Sequence, residues 1–193
     1  MNEEWRVVES VVEYETPWYT GGYDLVEQPD GSTKRYYWAE LPPAVVVVAV
    51  ADGQVVLVEQ YRPATGETYL ECPAGIVERE PQGGPDGSSG PRPGDGRESF
   101  TAAGARELRE ETGFEAADVS LLASFDVATG LLRHERGIVF AEGLTPVEQD
   151  LDDNEFLTVR TVPVEEALDV ARAHPANDAT IEALLLAAED GFL

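Results

Sequence analysis

The feature that most constrains this fold is an apolar run, AVVVVAV at residues 44–50, followed by a second β-branched run, QVVLVEQY at residues 54–61. Successive side chains of a strand point to opposite faces, so a run without polar interruption must be covered on both faces. Asp52-Gly53 lies between the runs, and this pair favours the tight turns of β-hairpins. The sequence therefore predicts a central strand, covered on both faces and joined by a tight turn to its neighbour.

Aromatic residues and strand-like alternation characterise residues 1–42, where Pro29-Asp30-Gly31 marks a turn between two strands. We predict a small N-terminal antiparallel β-sheet there, and a larger domain over residues 43–193. The larger domain mixes strands and helices without a regular strand–helix–strand repeat, which is typical of the α+β class. Its C-terminal third is helical, with Pro163 at the first position of one helix and Asp178 capping the next.

A further helix is predicted from about Ser99 to Thr112, because Gly113 is typical of the position after a helix end. Three of its residues share one side and should face the core: Thr101, Ala105 and Leu108. Gly104 lies on the face that carries the glutamates at positions 107, 110 and 111, one turn away from them. Glycine inside a helix costs about 1 kcal/mol relative to alanine, so its presence indicates that some group approaches this side closely.

Residues 79–97, REPQGGPDGSSGPRPGDGR, differ sharply in composition from the segments around them. Glycine, proline, serine and charged residues cannot bury enough apolar area to offset the entropy that is lost on ordering. We interpret the stretch as a flexible surface insertion, with a lid or regulatory role as the alternative.

Three carboxylates crowd the predicted helix at ARELREETGF, residues 105–114. On a helix, Glu107, Glu110 and Glu111 fall within about 100° of arc, and like charges at this spacing repel each other. Such a cluster either binds a cation or forms a solvated acidic surface.

These carboxylates carry a family resemblance. Glu98 and RELREETGF, residues 106–114, are similar to the signature of the Nudix hydrolases, G-x5-E-x7-R-E-U-x-E-E-x-G-U, in which U is a bulky apolar residue. The signature expects glycine at position 92, where this chain has arginine. Gly75, in ECPAGIVE, resembles the missing glycine; 22 residues, in place of five, separate it from Glu98, which corresponds to the insertion.

The resemblance implies the Nudix fold, a mixed β-sheet between helices, and a metal site. Glu107, Glu110 and Glu111 would hold Mg²⁺, with Mn²⁺ as a substitute, and the backbone carbonyl of Ala74 would add a ligand. The bound metal would activate a water molecule to attack a diphosphate phosphorus.

Substrate contacts follow from a resemblance to the ADP-ribose pyrophosphatase branch. VEQYRPATGETYLECPAG resembles the strand that leads into its site, and Arg62 would contact phosphate or ribose, with a surface ion pair as the alternative. Arg106, with Glu98, resembles the pair that fixes the glycine-bearing loop to the helix. We assign Arg106, Gly75 and Gly104, together with Arg62, to the substrate-binding side.

A catalytic carboxylate is expected outside the helix. LDDNEFL resembles the loop that supplies it in this branch, with Glu155 as the simplest alignment, Asp153 as the other candidate and an ordinary acidic turn as the alternative. Ala128-Thr129-Gly130 replaces the serine-proline-glycine that is usual in the branch, and this replacement weakens the ADP-ribose assignment.

The expected activity is Mg²⁺-dependent hydrolysis of ADP-ribose, a small-molecule nucleoside diphosphate derivative, to AMP and ribose 5-phosphate. The alternatives are another derivative of this class, such as a nucleotide sugar or a dinucleotide, and a Nudix-shaped sensor that binds nucleotide without turnover. The branch commonly exchanges its N-terminal sheet between two subunits, which implies a homodimer.

Charge limits the partners and the compartment. The chain has 38 Asp and Glu against 13 Lys and Arg, a net charge of −25, and such a surface repels nucleic acid and anionic membranes. Because the acidic residues are spread along the chain, we interpret them as adaptation to a salt-rich cytoplasm, with an acidic binding face as the alternative. Cys72 is the single cysteine, which fits a reducing, cytoplasmic compartment, and residues 1–10 show no export signal.

The charge leads to a prediction about salt. Raising KCl from low to molar concentration should raise the melting temperature steeply, because salt screens the repulsion among surface carboxylates. Thermal unfolding followed by circular dichroism checks this, and a melting temperature that does not change with salt would contradict the halophilic interpretation.

Overall fold

The computed structural model describes residues 5–79, 96–151 and 155–193. Two compact units divide the chain: Met1–Pro43 with Phe125–Arg136, and Ala44–Ser124 with Gly137–Leu193. The first unit includes the predicted N-terminal sheet and also a later segment, which the predicted division leaves in the larger domain. Most of the predicted insertion, residues 80–95, lies outside the described residues.

The described residues form thirteen strands and three helices. None of the three helices is long and apolar enough to cross a bilayer. In chain order they are β1 (Arg6–Glu15), β2 (Thr20–Glu27), β3 (Thr33–Glu40), β4 (Ala44–Ala51), β5 (Gln54–Arg62), β6 (Glu67–Glu71), β7 (Ala74–Ile76), α1 (Phe100–Thr112), β8 (Phe114–Glu115), β9 (Asp118–Asp126), β10 (Leu132–Arg133), β11 (Glu135–Glu142), β12 (Thr145–Pro146), β13 (Leu157–Pro163), α2 (Val164–Arg172) and α3 (Asp178–Glu189).

The first unit is a four-stranded sheet with the strand order β1-β2-β3-β10. Strands β1, β2 and β3 are antiparallel, as predicted, whereas the short β10 runs parallel to β3. The turn between β2 and β3 contains Gly31 with a φ of 81°, a left-handed conformation that glycine adopts without strain. The predicted turn at Pro29-Asp30-Gly31 is confirmed.

Asp24 explains how the late strand β10 is held in this sheet. Its Oδ1 accepts hydrogen bonds from the Ser10 hydroxyl at 2.6 Å and the Trp38 indole at 3.1 Å. Its Oδ2 pairs with Arg133 of β10 at 2.5 Å, and the Arg133 guanidinium lies 3.9 Å from the centroid of the Trp38 ring. One carboxylate therefore connects β1, β3 and β10.

The second unit contains a seven-stranded sheet with the order β13-β5-β4-β11-β9, in which β6 also pairs with β5 and β7 with β4. Strand β4 is central, and its residues from Val45 to Ala49 are at most 3% exposed, so the predicted coverage of both faces is confirmed. At the turn into β5, φ is 51° at Asp52 and 74° at Gly53, as a type I′ hairpin turn requires.

Helices cover both faces of this sheet. One buried cluster joins Ala103 and Leu108 of α1 to alternate residues of β4, which are Val45, Val47 and Ala49. Helix α3 also contacts β4, and Phe140 of β11 stacks on Phe192, which follows α3, with ring centroids 4.3 Å apart. The predicted α+β architecture, a sheet between helices, is confirmed.

Helix α1 begins and ends where its capping residues predict. The Ser99 hydroxyl accepts a hydrogen bond from the Ala102 N–H at 3.1 Å. At the other end, Gly113 has a φ of 69° and donates its N–H to the Arg109 carbonyl at 3.0 Å. The predicted start near Ser99 and the predicted stop at Gly113 are confirmed, and the structure adds that Ser99 is the N-cap.

The face that α1 turns to the sheet differs from the prediction. Its buried residues follow helical spacing: Phe100, Ala103, Gly104, Glu107, Leu108, Glu111 and Thr112. Thr101 and Ala105 are half-buried, so Leu108 alone of the three predicted core residues is fully covered. A Cβ on Gly104 would lie 2.5 Å from Cγ2 of Val139. The group that approaches Gly104 is thus the sheet, and the assignment of this glycine to the substrate-binding side is corrected.

Two cap predictions in the C-terminal third shift by one residue. Pro163 precedes α2 as its N-cap instead of occupying its first position. Asn177, rather than Asp178, caps α3, because its side chain accepts the Thr180 N–H at 3.2 Å. Both predicted helices are present.

Gly104→Ala tests the packing of α1. The added methyl group should lower the melting temperature by several degrees, because overpacking a core costs about 1–3 kcal/mol and outweighs the gain in helix propensity. Gly130→Ala is the control, since a Cβ there meets no atom within 4 Å. A Gly104→Ala protein as stable as wild type in thermal unfolding would show that the sheet does not need glycine at this position.

Candidate active site

Helix α1 and strand β7 meet at Gly75. The pairing of β7 with β4 places Gly75 opposite Val45, and a Cβ on Gly75 would overlap the carboxylate of Glu107. Glycine leaves room for the carboxylate because it has no side chain. The two parts of the signature that the insertion separates in sequence are therefore adjacent in space.

Arg106 fixes this junction. Its Nη2 donates to the Glu98 carboxylate at 2.7 Å and to the backbone carbonyl of Ile76 at 2.9 Å. The same Glu98 oxygen accepts the Glu78 N–H at 3.0 Å. Glu98 and Arg106 thus hold the chain after β7 against α1, as the resemblance implies, and a contact between Arg106 and substrate stays a prediction.

Arg106 also contacts the carboxylates of its own helix. Its Nη1 donates to Glu107 at 2.7 Å and to Glu110 at 3.1 Å. Its Nε is buried and has no hydrogen-bond partner in the part of the chain that the structure describes. One guanidinium therefore serves three carboxylates, including Glu98, and the cluster keeps an excess of negative charge.

Glu107 and Glu111 are buried, with 7% and 4% of their surfaces exposed. Burial raises the pKa of Glu107 to about 7, although the Arg106 guanidinium opposes the rise. Burial likewise raises the pKa of Glu111 to about 8, although a 3.0 Å hydrogen bond from the Ala74 N–H opposes it. The fold thus holds two carboxylates where their charged forms are disfavoured, and a bound cation would relieve that cost.

Glu155 and Arg62 add charges near the helix carboxylates. After burial and the neighbouring helix carboxylates, the negative charge of Glu155 is a further cause of the raised pKa of both Glu107 and Glu111. The positive charge of Arg62 acts on Glu111 in the opposite direction. Asp153, the other candidate base, lies outside the described residues.

Sequence reasoning missed Glu71, which is 2% exposed. Its carboxylate accepts Arg62 Nε at 2.8 Å and Nη2 at 2.6 Å, and it also accepts the side-chain amide of Asn177. Arg62 is therefore an ion-pair partner, as the alternative interpretation held, while its charge also acts on Glu111. The sequence did contain a signal, which is an acidic residue beside Cys72 at the end of a predicted strand. A carboxylate that is buried in such a place needs a partner.

The oxygen donors of this junction fit a hard divalent cation. Carboxylates of Glu107, Glu110 and Glu111, with backbone oxygens nearby, are donors that suit Mg²⁺. Within residues 5–79, 96–151 and 155–193, no three acidic, histidine or cysteine side chains are already arranged to hold a metal ion. Arg106 and the Ala74 N–H occupy carboxylate oxygens instead, so metal binding would replace some of these contacts.

The sheet between helices and the junction of α1 with Gly75 define a Nudix-type fold and site. The family model described as NUDIX domain matches residues 40–184. An ADP-ribose pyrophosphatase of Bacillus subtilis (strain 168) is 32% identical over 159 residues, which cover 80% of this chain and 76% of that protein. This chain belongs to the Nudix hydrolase family.

Two further comparisons also extend over most of the chain. A methanol dehydrogenase activator of Bacillus methanolicus is 33% identical over 148 residues, which cover 75% of this chain and 71% of that protein. The crystal structure of an ADP compounds hydrolase has a TM-score of 0.79 at 22% identity, covering 99% of this chain and 98% of its own. At that identity the structural likeness shows the fold.

Burial of Glu111 predicts a pH-dependent effect of Glu111→Gln on metal-free protein. Because the pKa of Glu111 is raised on folding, its proton stabilises the folded chain at low pH, and this contribution is lost as pH rises from about 5 through about 8. The melting temperature of Glu111→Gln minus that of wild type should therefore be larger at pH 8.5 than at pH 5.5. A gain of several degrees is expected, since about 1 kcal/mol shifts a chain of this size by about 2–4 °C.

Thermal unfolding in a chelator at constant salt measures this effect. Glu110→Gln is the matched control, because it removes the same charge from a partly exposed position on the same helix. If the melting temperature relative to wild type rose between pH 5.5 and pH 8.5 by no more for Glu111→Gln than for Glu110→Gln, burial of the Glu111 charge would not be destabilising.

Proposed function

We propose that this Nudix hydrolase cleaves the diphosphate of ADP-ribose to give AMP and ribose 5-phosphate. The observation that carries the proposal is the convergence of two buried carboxylates, Glu107 and Glu111, with the charges of Arg62 and Glu155. The 32% sequence identity to an ADP-ribose pyrophosphatase over 159 residues supports this choice of substrate.

Glu107, Glu110 and Glu111 are the proposed ligands of Mg²⁺ or, as a substitute, Mn²⁺, with the Ala74 carbonyl as a further ligand. When bound, the metal supplies a Lewis acid for phosphate oxygens and lowers the pKa of a coordinated water molecule. The burial of Glu107 and Glu111 supports this role, because charges attract more strongly where water is excluded.

Glu155 is the proposed general base, with Asp153 as the alternative. A water oxygen forms a bond to one phosphorus, and the bond from that phosphorus to the bridging oxygen breaks. The bridging oxygen leaves with the other phosphate, and the proton of the water passes to the carboxylate. The effect of the Glu155 charge on the pKa of both Glu107 and Glu111 supports its assignment.

Arg62 is the proposed contact to the diphosphate. In a chain with a net charge of −25, an anionic substrate needs a local cation. The Arg62 side chain remains 43% exposed although it pairs with Glu71, so a ligand has access to its guanidinium.

A different nucleoside diphosphate derivative is the second candidate substrate. The segment Ala128-Thr129-Gly130 supports it, because this segment departs from the ADP-ribose branch and holds Ala128 at a φ of 48°, which residues other than glycine rarely adopt. A sensor without turnover is the third candidate. The complete set of Glu107, Glu110 and Glu111 argues against a sensor, since binding alone does not need all three.

We further propose a homodimer that forms through the N-terminal sheet. Strand β1 and the residue before it expose a series of large apolar side chains: Trp5, Val7, Val8, Val12 and Tyr14. Surface of this kind is typical of protein interfaces.

The buried free Cys72 supports a reducing cytoplasm as the proposed compartment, and the acidic composition supports a cytoplasm that is rich in salt.

A substrate panel tests the proposed activity. With Mg²⁺ at high salt, ADP-ribose should have the highest kcat/KM among ADP-ribose, other nucleotide sugars, NADH, dinucleoside polyphosphates and nucleoside triphosphates, measured by chromatography of the products. A tenfold preference for another compound would leave the family intact and make the substrate wrong. Binding of ADP-ribose without hydrolysis of any compound would establish the sensor.

The base is tested by comparing two isosteric substitutions. Glu155→Gln should lower kcat by about 10²–10⁴-fold, the usual contribution of a general base, whereas Asp153→Asn should lower it far less. Steady-state kinetics with saturating Mg²⁺ measures both. The reverse order of effects would move the base to Asp153, and two small effects would leave the reaction without a carboxylate base in this loop.

A further inference from the structure

Both oxygens of the buried Glu71 carboxylate are occupied. Oε2 accepts the Nε and Nη2 groups of Arg62 at 2.8 and 2.6 Å, and Oε1 accepts the side-chain amide of Asn177. Glu71 is 2% exposed, so water cannot replace either partner without a change in the fold. The orientation of this carboxylate therefore depends on Asn177 as well as on Arg62.

The strand register shows that Arg62 pairs with a carboxylate that does not lie opposite it. Across β5 and β6, Arg62 lies directly opposite Glu67, while Glu71 lies opposite Val58. Residues 58 and 62 share a face of β5, so the Arg62 side chain reaches Glu71 by extending back along its own strand. The exposed Glu67 is nearer in register, yet the guanidinium contacts in the described chain go to the buried Glu71.

Asn177 is itself fixed by the helix that it caps. Its Oδ1 accepts the Thr180 N–H at 3.2 Å, so the Nδ2 end of the same amide must point away, toward Glu71. The Thr180 hydroxyl in turn accepts the Cys72 N–H at 3.0 Å. The start of α3 is thus attached to the end of β6 at two adjacent residues.

We propose that Asn177 is a positioning residue for diphosphate binding, which acts through Glu71 to hold the Arg62 guanidinium beside the helix carboxylates. This inference rests on the proposed role of Arg62. Nη1 of Arg62 makes no hydrogen bond to any described residue, and it is the edge that Glu71 leaves for a phosphate oxygen. Loss of the Asn177 amide leaves a buried oxygen of Glu71 without a donor, and the carboxylate and Arg62 then reorient.

Asn177→Ser separates this role from helix capping. Serine is as good an N-cap as asparagine, but its hydroxyl cannot also provide the amide donor. The melting temperature should fall by a few degrees, because a buried oxygen of Glu71 loses its donor, while KM for ADP-ribose rises about tenfold and kcat stays within about twofold. A purely structural role would lower the melting temperature in the same way and would leave KM unchanged.

A double-mutant cycle with Arg62→Ala tests whether Asn177 acts through Arg62. Asn177→Ser should raise KM in the wild-type background and have no further effect when Arg62 is absent. Equal effects in both backgrounds, or an unchanged KM in a folded Asn177→Ser protein, would overturn the proposal. If the serine variant does not fold, Asn177→Asp keeps the cap, places an oxygen against Glu71 and should show the same dependence on Arg62.

Calorimetric titration of the four proteins with ADP in the presence of Mg²⁺ separates this proposal from the proposed substrate. If wild type binds ADP but does not hydrolyse ADP-ribose, and the two substitutions weaken ADP binding without adding, the role of Asn177 stands and the substrate is wrong. If Arg62→Ala leaves ADP binding unchanged, Arg62 does not bind phosphate and the positioning role falls with it.

Discussion

The contact between the Gly75 backbone and the Glu107 carboxylate is the constraint on which the site depends. It requires a residue without a side chain in β7, a helix that begins after the insertion, and Arg106 to join the two through Glu98 and Ile76. Burying a carboxylate in this way is unfavourable unless partners replace the lost water. Arg106 and the Ala74 N–H provide part of that replacement for Glu107 and Glu111, and the raised pKa of both groups shows that it is incomplete. A divalent cation would supply the rest, so the feature that destabilises the metal-free chain is the one that favours metal binding.

The same junction allows the chain to carry its long insertion. Residues 79 and 97 form an isolated antiparallel bridge at the two ends of the insertion, and Glu98 accepts the Glu78 N–H beside it. Among the described residues, the contacts that close the junction join residues 74–79 to residues 97–111. Because the entropy cost of a loop grows slowly with its length, the insertion adds little to the cost of bringing β7 and α1 together. The contacts between β7 and α1 therefore keep Gly75 beside the helix, whereas the number of residues between Gly75 and Glu98 can vary.

Local sequence features predicted the parts of the fold that local physics decides. Asp52-Gly53 specified its hairpin turn through positive φ at both positions, Ser99 and Gly113 specified the ends of α1, and the spacing of the three glutamates placed them on one side of that helix. Features that depend on distant residues were missed. The pairing of Glu71 with Asn177 spans more than 100 residues, and Asp24 with Arg133 likewise, so no local pattern indicates either. The error at Gly104 has the same origin, because the sequence shows that a group must approach but not that the group is Val139.

We propose that the buried glutamates of α1 form a divalent cation site. Titrating metal-free protein with Mn²⁺ in molar KCl, and following free Mn²⁺ by electron paramagnetic resonance, tests it most directly, because high salt suppresses weak binding to the acidic surface. Wild type should show saturable binding that Glu107→Gln/Glu111→Gln abolishes, whereas Glu165→Gln/Glu166→Gln, which removes two exposed charges from α2, should bind as wild type does. Equal Mn²⁺ binding by all three proteins would contradict the claim.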